Sequence, residues 1–143
     1  MRRFSLALIF LAILVVFSAT ANAQKERLLG DFVPIDNHGI TRVTLTADDQ
    51  IHVWGICHPS DCDWGIVPVD TYGPTVSSNL GATANSLSAV YLHGFATRIV
   101  VVTPLEENKI QIDVFTKFTD HSGRTPYMLK QILVRRENMA LKP

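Results

Sequence analysis

Apolar and polar residues alternate with a period of two along most of this chain. The pattern is clearest in TRVTLTA, residues 41–47, where Val43 and Leu45 fall on one side and polar residues on the other. Successive side chains of a β-strand point to opposite faces, so this spacing predicts strands that each bury one face. Residues typical of turns separate the runs.

The pattern predicts eight strands, joined mostly by short turns. They are residues 28–36, 41–47, 51–57, 62–73, 87–95, 97–105, 109–119 and 127–136. The last run also fits a helix, because Met128, Ile132 and Arg136 are spaced by four. Its alternating apolar positions favour a strand. Residues 73–86 show no periodicity, which predicts a long loop.

Strands that follow one another through short turns form an antiparallel meander, and such a sheet removes its edges by closing into a barrel. We therefore predict an all-β fold, a closed or partly open barrel of about eight strands. Its interior would be filled by side chains or hold one small ligand. Pro68 and Pro104 fall inside strand runs. Because proline is tolerated only at strand edges, ends or bulges, a two-sheet sandwich remains an alternative.

The ends of the chain carry other signals. Arg2 and Arg3, an apolar run and the small residues of ANA fit a cleaved signal peptide over residues 1–23, with an uncleaved anchor as the alternative. A single domain would then span residues 24–137, with a frayed tail at 138–143. We expect the mature protein to be secreted or periplasmic.

The charge and the apolar content of the sequence exclude some classes of binding partner for this protein. Without Arg2 and Arg3, eleven Lys and Arg face 13 Asp and Glu, a net charge of about −2. A basic stripe of the kind that tracks phosphates is missing, so nucleic acid is an improbable partner. The sequence after residue 23 has no apolar run of membrane-spanning length, so we expect no membrane partner after cleavage.

The stretch VWGICHPSDCDWG, residues 53–65, carries most of the chemistry in the sequence. Two cysteines in an exported chain predict a disulfide between Cys57 and Cys62, which closes a short loop and contributes about 2 kcal/mol. Their spacing fits half of a zinc site, but no second ligand pair follows. We therefore predict neither a metal nor a cofactor.

Catalytic chemistry has weak support in this stretch. A nucleophilic thiolate beside His58 needs a free cysteine, which the disulfide would remove. Asp61 and Asp63 could flank a glycosidic bond, yet aspartates on a tight turn more often bond neighbouring backbone amides. We predict no catalytic residue and a protein that is not an enzyme.

Binding is the better supported use of the stretch. Trp54 and Trp64 would lie on neighbouring strands, with Asp63 and His52 nearby, and indoles beside carboxylates are common in small-ligand and sugar sites. We take these four residues as candidate ligand contacts, covered by the loop at 73–86. The alternative is that both indoles pack into the end of the barrel.

The residues NHGITRVTLTADD and HVWGICHPSDCDWG resemble an uncharacterised domain of bacterial secreted proteins. Its members share a G-I-T-R strand that leads to W-G-x-C-H-P-[ST]-D-C-D-W-G. The resemblance covers about residues 29–66 and transfers no catalytic residue. The start LLGDF is also similar to the G-x-W opening of lipocalin- and avidin-like barrels, with Phe32 in place of tryptophan; this likeness concerns the fold and does not fix function.

Three functional hypotheses follow. The first is an exported, non-enzymatic barrel that binds a small molecule or a surface glycan. The second is an interaction protein, such as an inhibitor of a secreted hydrolase, that presents the stapled loop to a secreted protein. A hydrolytic or metal-dependent enzyme is the third and weakest hypothesis.

Overall fold

The computed structural model describes residues 23–106 and 108–139. Over these residues the chain forms strands β1 (Gly30–Pro34), β2 (Ile40–Leu45), β3 (Gln50–Gly55), β4 (Cys62–Pro68), β5 (Asp70–Tyr72), β6 (Ser86–His93), β7 (Ala96–Pro104), β8 (Lys109–Phe118) and β9 (Tyr127–Arg135). Three helices of one turn each accompany them: α1 (Ala23–Glu26), α2 (Leu80–Thr83) and α3 (Arg136–Met139).

All strand pairs are antiparallel, and the sheet order is β4-β3-β2-β1-β9-β8-β7-β6-β5. The first and last strands of this order, β4 and β5, are joined in sequence by Val69 alone. The two ends of the sheet therefore meet in one continuous run of chain, and the sheet is a nearly closed barrel. The predicted all-β barrel is confirmed.

The strand predicted at 62–73 is two strands, because it changes its partner from β3 to β6 around Val69. Pro68 ends β4 and Pro104 ends β7, positions where the missing N–H disturbs the ladder least. The last run is a strand, as predicted, and its residues pair with β8 and β1.

The inward faces of the strands form one apolar core. Its buried members are Leu28, Phe32, Ile40, Val43, Leu45, Ile51, Val53, Leu87, Ala89, Tyr91, Val100, Val102, Ile110, Ile112, Val114 and Leu133. Gln131 is buried among them, where its side chain accepts from the Ile40 amide and donates to the Asp36 carbonyl. Side chains therefore fill the middle of the barrel.

One end of the barrel, which we call the closed end, is covered by α1 and by the loop that holds α2. Leu28 and Ala84 are fully buried there. Asn79 caps α2 by accepting from the Gly81 amide. The prediction that the loop at 73–86 covers the tryptophans is wrong: the loop follows the pairing of Tyr72 with Ser86, at the far end of β6 from the stapled hairpin.

The chain termini extend beyond the described residues. All of the predicted signal peptide except Ala23 lies outside them, as do residues 140–143 of the predicted tail. Over the part of the chain that is described, none of the helices has the length and apolar character needed to cross a bilayer.

Candidate functional site

The stapled hairpin joins β3 to β4 at the end of the barrel opposite to the closed end. Cys57 and Cys62 form its disulfide, with their Cα atoms 5.4 Å apart. Residues 58–61 are all exposed at the tip. The disulfide thus fixes the base of a loop whose tip extends into solvent.

A β-bulge in β4 places the two tryptophans on opposite faces of the sheet. Trp54 pairs with Asp63 and His52 pairs with Ile66, so Val53 opposes both Trp64 and Gly65. Gly65 has φ +86°, a backbone conformation that favours glycine. Trp64 therefore turns inward and packs against the core, whereas Trp54 stays on the outer face.

Trp54 lies in an outer cluster that we define as Arg42, His52, Trp54 and Asp63. The Arg42 guanidinium carbon is 3.6 Å from the centre of the indole, and the His52 ring is stacked at 3.5 Å. Two groups cannot occupy the same face at these distances, so they enclose the indole from both sides. Trp54 consequently offers no open aromatic face to a sugar.

Asp63 supplies the carboxylate of the outer cluster. Its Oδ1 lies 2.5 Å from His52 Nε2 and accepts from the Gly65 amide at 2.7 Å. The hydrogen bond from His52, followed by that from Gly65, holds the pKa of the Asp63 carboxyl below its ordinary value. Three of the four predicted contacts, His52, Trp54 and Asp63, are therefore together, and Trp64 is separated from them by the sheet.

Trp64 belongs to a second, inner cluster. Its indole meets Tyr91 and His93 edge-on, with centroid distances of 5.8 and 6.4 Å, and the Arg98 guanidinium carbon lies 4.5 Å from its ring centre. Gly55 makes room for the ring, since a Cβ there would approach Trp64 Nε1 to 3.0 Å. Tyr91 donates its hydroxyl to the Ile51 carbonyl and is fixed in place.

The inner cluster borders a cleft of about 480 Å³ at this end of the barrel, which we call the open end. Its lining is mostly apolar or aromatic and consists of Gly39, Ile40, Gly55, Ile56, Cys57, Cys62, Asp63, Trp64, His93, Phe95, Arg98, Val114, Tyr127 and Leu129. A mostly apolar concavity with a few converging polar groups is the usual form of a small-ligand site.

Sequence reasoning identified Trp64 and Asp63 in this lining but missed His93, Phe95, Arg98 and Tyr127. The available signal was on β7, where Arg98 occupies the same face as the buried Ala96, Val100 and Val102. An arginine at an inward position of an apolar strand marks a polar group that the fold brings to the interior. Among the described residues, no three His, Cys, Asp or Glu side chains converge as metal ligands.

Comparison with family models, with curated proteins and with solved structures found no match to this chain. The functional interpretation therefore depends on the geometry of the open end.

Proposed function

We propose that this chain is an exported, non-enzymatic barrel that binds a small organic molecule in the open-end cleft. The observation that carries the proposal is the cleft itself, which lies beside a partly exposed Trp64 above an otherwise filled core. Aromatic walls supply most of the contact area, and Arg98 and His93 supply polar contacts that would orient the ligand.

A small molecule is favoured over a surface glycan by the state of the outer indole. Sugars bind on open aromatic faces, and both faces of Trp54 are covered by Arg42 and His52. The outer groove beside them, about 370 Å³, is lined largely by charged and polar side chains. The inner cleft is therefore the better binding site, and Trp64 rather than Trp54 would contact the ligand.

Single-tryptophan variants test this proposal, because each indole reports one face of the sheet. Trp54→Phe leaves Trp64 as the only indole, and Trp64→Phe leaves Trp54 as the matched control. We expect saturable emission changes with members of a small-molecule library in Trp54→Phe and none in Trp64→Phe. If Trp64 emission responds to no compound, or only Trp54 emission responds, the cleft is not the binding site.

Export is part of the proposal and is supported by the pattern of residues 1–23 and by the Cys57–Cys62 disulfide. Expression of the full chain with its own leader should yield a mature protein that begins at Gln24. Amino-terminal sequencing and thiol counting check both points. A cytoplasmic product that keeps residues 1–23 and two free thiols would contradict export.

The interaction hypothesis is the second candidate, favoured by the exposed hairpin tip on its disulfide base. A preorganised loop loses little entropy when it enters a partner's cleft. If the tip inhibits a secreted hydrolase, Ser60→Ala with Asp61→Ala should abolish inhibition, whereas Ser77→Ala in the loop at the closed end should not. A panel of secreted hydrolases that is inhibited by none of these proteins would argue against this candidate.

A further inference from the structure

Four inward-facing residues form one row across the wall of the open end. Tyr91 on β6 pairs with Arg98 on β7, Arg98 pairs with Thr116 on β8, and Thr116 pairs with Tyr127 on β9. Directly paired residues of antiparallel strands lie about 4.5–5.5 Å apart, so their side chains are neighbours on the same face. Of this row, Arg98 and Tyr127 line the cleft, whereas Tyr91 and Thr116 are buried in the wall.

Arg98 is the cation of this row and lacks a protein anion. Its Nε is buried without a hydrogen-bond partner, and over the described residues no carboxylate oxygen lies within ion-pairing distance of its guanidinium. Aromatic rings surround it instead, with Trp64 at 4.5 Å and Phe95 at 5.2 Å. Burial lowers the pKa of the Arg98 guanidinium, which expresses the cost of a cation held away from water.

Two further buried polar atoms at the same place have no partner. They are Thr116 Oγ1 and His93 Nε2. Buried polar groups in native proteins are nearly always hydrogen-bonded, so a cluster of three exceptions needs a physical reason. Arg98 and His93 line the cleft, where a ligand that accepts hydrogen bonds would contact both side chains, whereas Thr116 lies outside the lining.

The one carboxylate among the lining residues forms no ion pair with Arg98. Asp63 lines the cleft, but its Oδ1 is already bonded to His52 and to the Gly65 amide. His93 contributes little positive charge, because burial and the neighbouring Arg98 both lower the pKa of its imidazole. The cleft thus presents one cation, Arg98, and one carboxylate, Asp63, which is bonded to His52 and to the Gly65 amide instead.

We propose that the cleft recognises a small organic carboxylate, whose carboxylate group binds Arg98 and whose apolar body lies against Trp64, Phe95 and Leu129. This inference rests on the proposed function and names the class of ligand. A planar guanidinium matches a carboxylate in shape and charge. One cation in a mostly apolar cleft suits a monoanion with an apolar body better than a multiply charged phosphate.

The test measures binding of matched acids and amides by isothermal titration calorimetry. The pairs are phenylacetate with phenylacetamide, naphthoate with naphthamide, and decanoate with decanamide, which differ in body size but share the change from anion to neutral amide. We expect at least one acid to bind at least about tenfold more tightly than its amide. Phenyl phosphate should bind more weakly than phenylacetate.

Single substitutions test where the carboxylate group of the ligand binds. Arg98→Gln should reduce the affinity for the acid to that for the amide, and Arg98→Lys should restore part of the difference. Arg42→Gln is the matched control, because Arg42 also lies over an indole with an unpartnered Nε but on the outer face. Circular dichroism and thermal unfolding verify that each variant folds.

The outcomes separate this inference from the proposed function. If acid and amide bind equally, the cleft binds ligands but does not select carboxylates, and only the inference fails. If no member of any pair binds, both fail. A tighter phenyl phosphate overturns the assignment of carboxylate, and an equal loss in Arg42→Gln and Arg98→Gln overturns the assignment of the site.

Discussion

The two ends of the barrel each contain one inward-facing arginine, and the surroundings of the two side chains are opposite. At the closed end, Arg135 donates to the carbonyls of Leu29 and Arg27 and to Asn108 Oδ1. At the open end, Arg98 contacts aromatic rings, and its buried Nε has no partner. Both guanidiniums lie over an aromatic ring, so the difference lies in hydrogen bonding alone.

This difference indicates what each arginine does for the protein. Arg135 links the segment before β1 to the residue that precedes β8, which supports a structural role. Arg98 carries a charge that the described part of the chain leaves uncompensated, and such groups lower stability unless a ligand completes them. The comparison predicts opposite effects on stability when the two side chains are made apolar.

The largest effect is expected from Arg135→Met. The substitution leaves the backbone carbonyls of Leu29 and Arg27 without their donor, which should lower the free energy of unfolding by about 2–4 kcal/mol. Urea denaturation measures the change. Arg136→Met, at the exposed neighbouring position, is the control and should stay within about 0.5 kcal/mol of the native protein. A small effect of Arg135→Met would mean that the closed end does not depend on this side chain.

The disulfide at the rim of the open end should contribute less. Replacing both Cys57 and Cys62 with alanine releases a short loop and should lower the free energy of unfolding by about 2 kcal/mol. The same measurement under reducing conditions is the control, because reduction should remove the difference between the two proteins. A difference that persists after reduction would show that the cysteine side chains stabilise the fold by packing.

Arg98→Met is expected to have a small effect of opposite sign to Arg135→Met. The variant loses a cation–π contact with Trp64 worth about 0.5–1 kcal/mol but also removes an unpaired buried charge. We expect the free energy of unfolding to rise by up to about 1 kcal/mol, measured by urea denaturation without ligand. A loss of more than about 2 kcal/mol would contradict the comparison, because Arg98 would then be structural.

The smallest effect concerns Asp63 on the outer face. Since its folded-state pKa is below the ordinary value of 3.8, the stability that it contributes is present above that pH and is lost as pH falls through the folded-state pKa. Carbon-detected NMR titration should place the Asp63 carboxyl below 3.8 in the native protein. In His52→Gln the pKa should rise towards 3.8. An unchanged value would mean that the Gly65 amide alone causes the shift.

Much of the architecture was accessible from the alternation of residues. In β8 the alternation places Ile110, Ile112 and Val114 on one face opposite Gln111 and Asp113, and the structure buries the first three. The inward face of β7 was harder to predict, because TRIVVVTP has apolar residues on both faces. Its inward face depends on pairing with β6 and β8, which local sequence does not specify.

The same limit explains why Arg98 was missed as a cleft residue. Val90, Ile99, Phe115 and Met128 pair in a row across β6 to β9 and are 50, 45, 45 and 51% exposed on the outer face. On β7, local sequence does not decide between the face of Ile99 and the face of Arg98, and burial of Ile99 would put Arg98 outside. The closed barrel decides between the two faces, because the register of four strands sets one common inner face.

The sequence by itself determined the all-β class, the strand runs and the short cysteine spacing that closes the hairpin, since these depend on local periodicity and proximity along the chain. Only the tertiary structure decided which tryptophan faces inward and which polar groups meet at the open end. The bulge at Gly65 turns Trp64 away from Trp54. Barrel closure then brings β4 beside β6, so that Arg98, remote in sequence from Trp64, comes to lie over its ring.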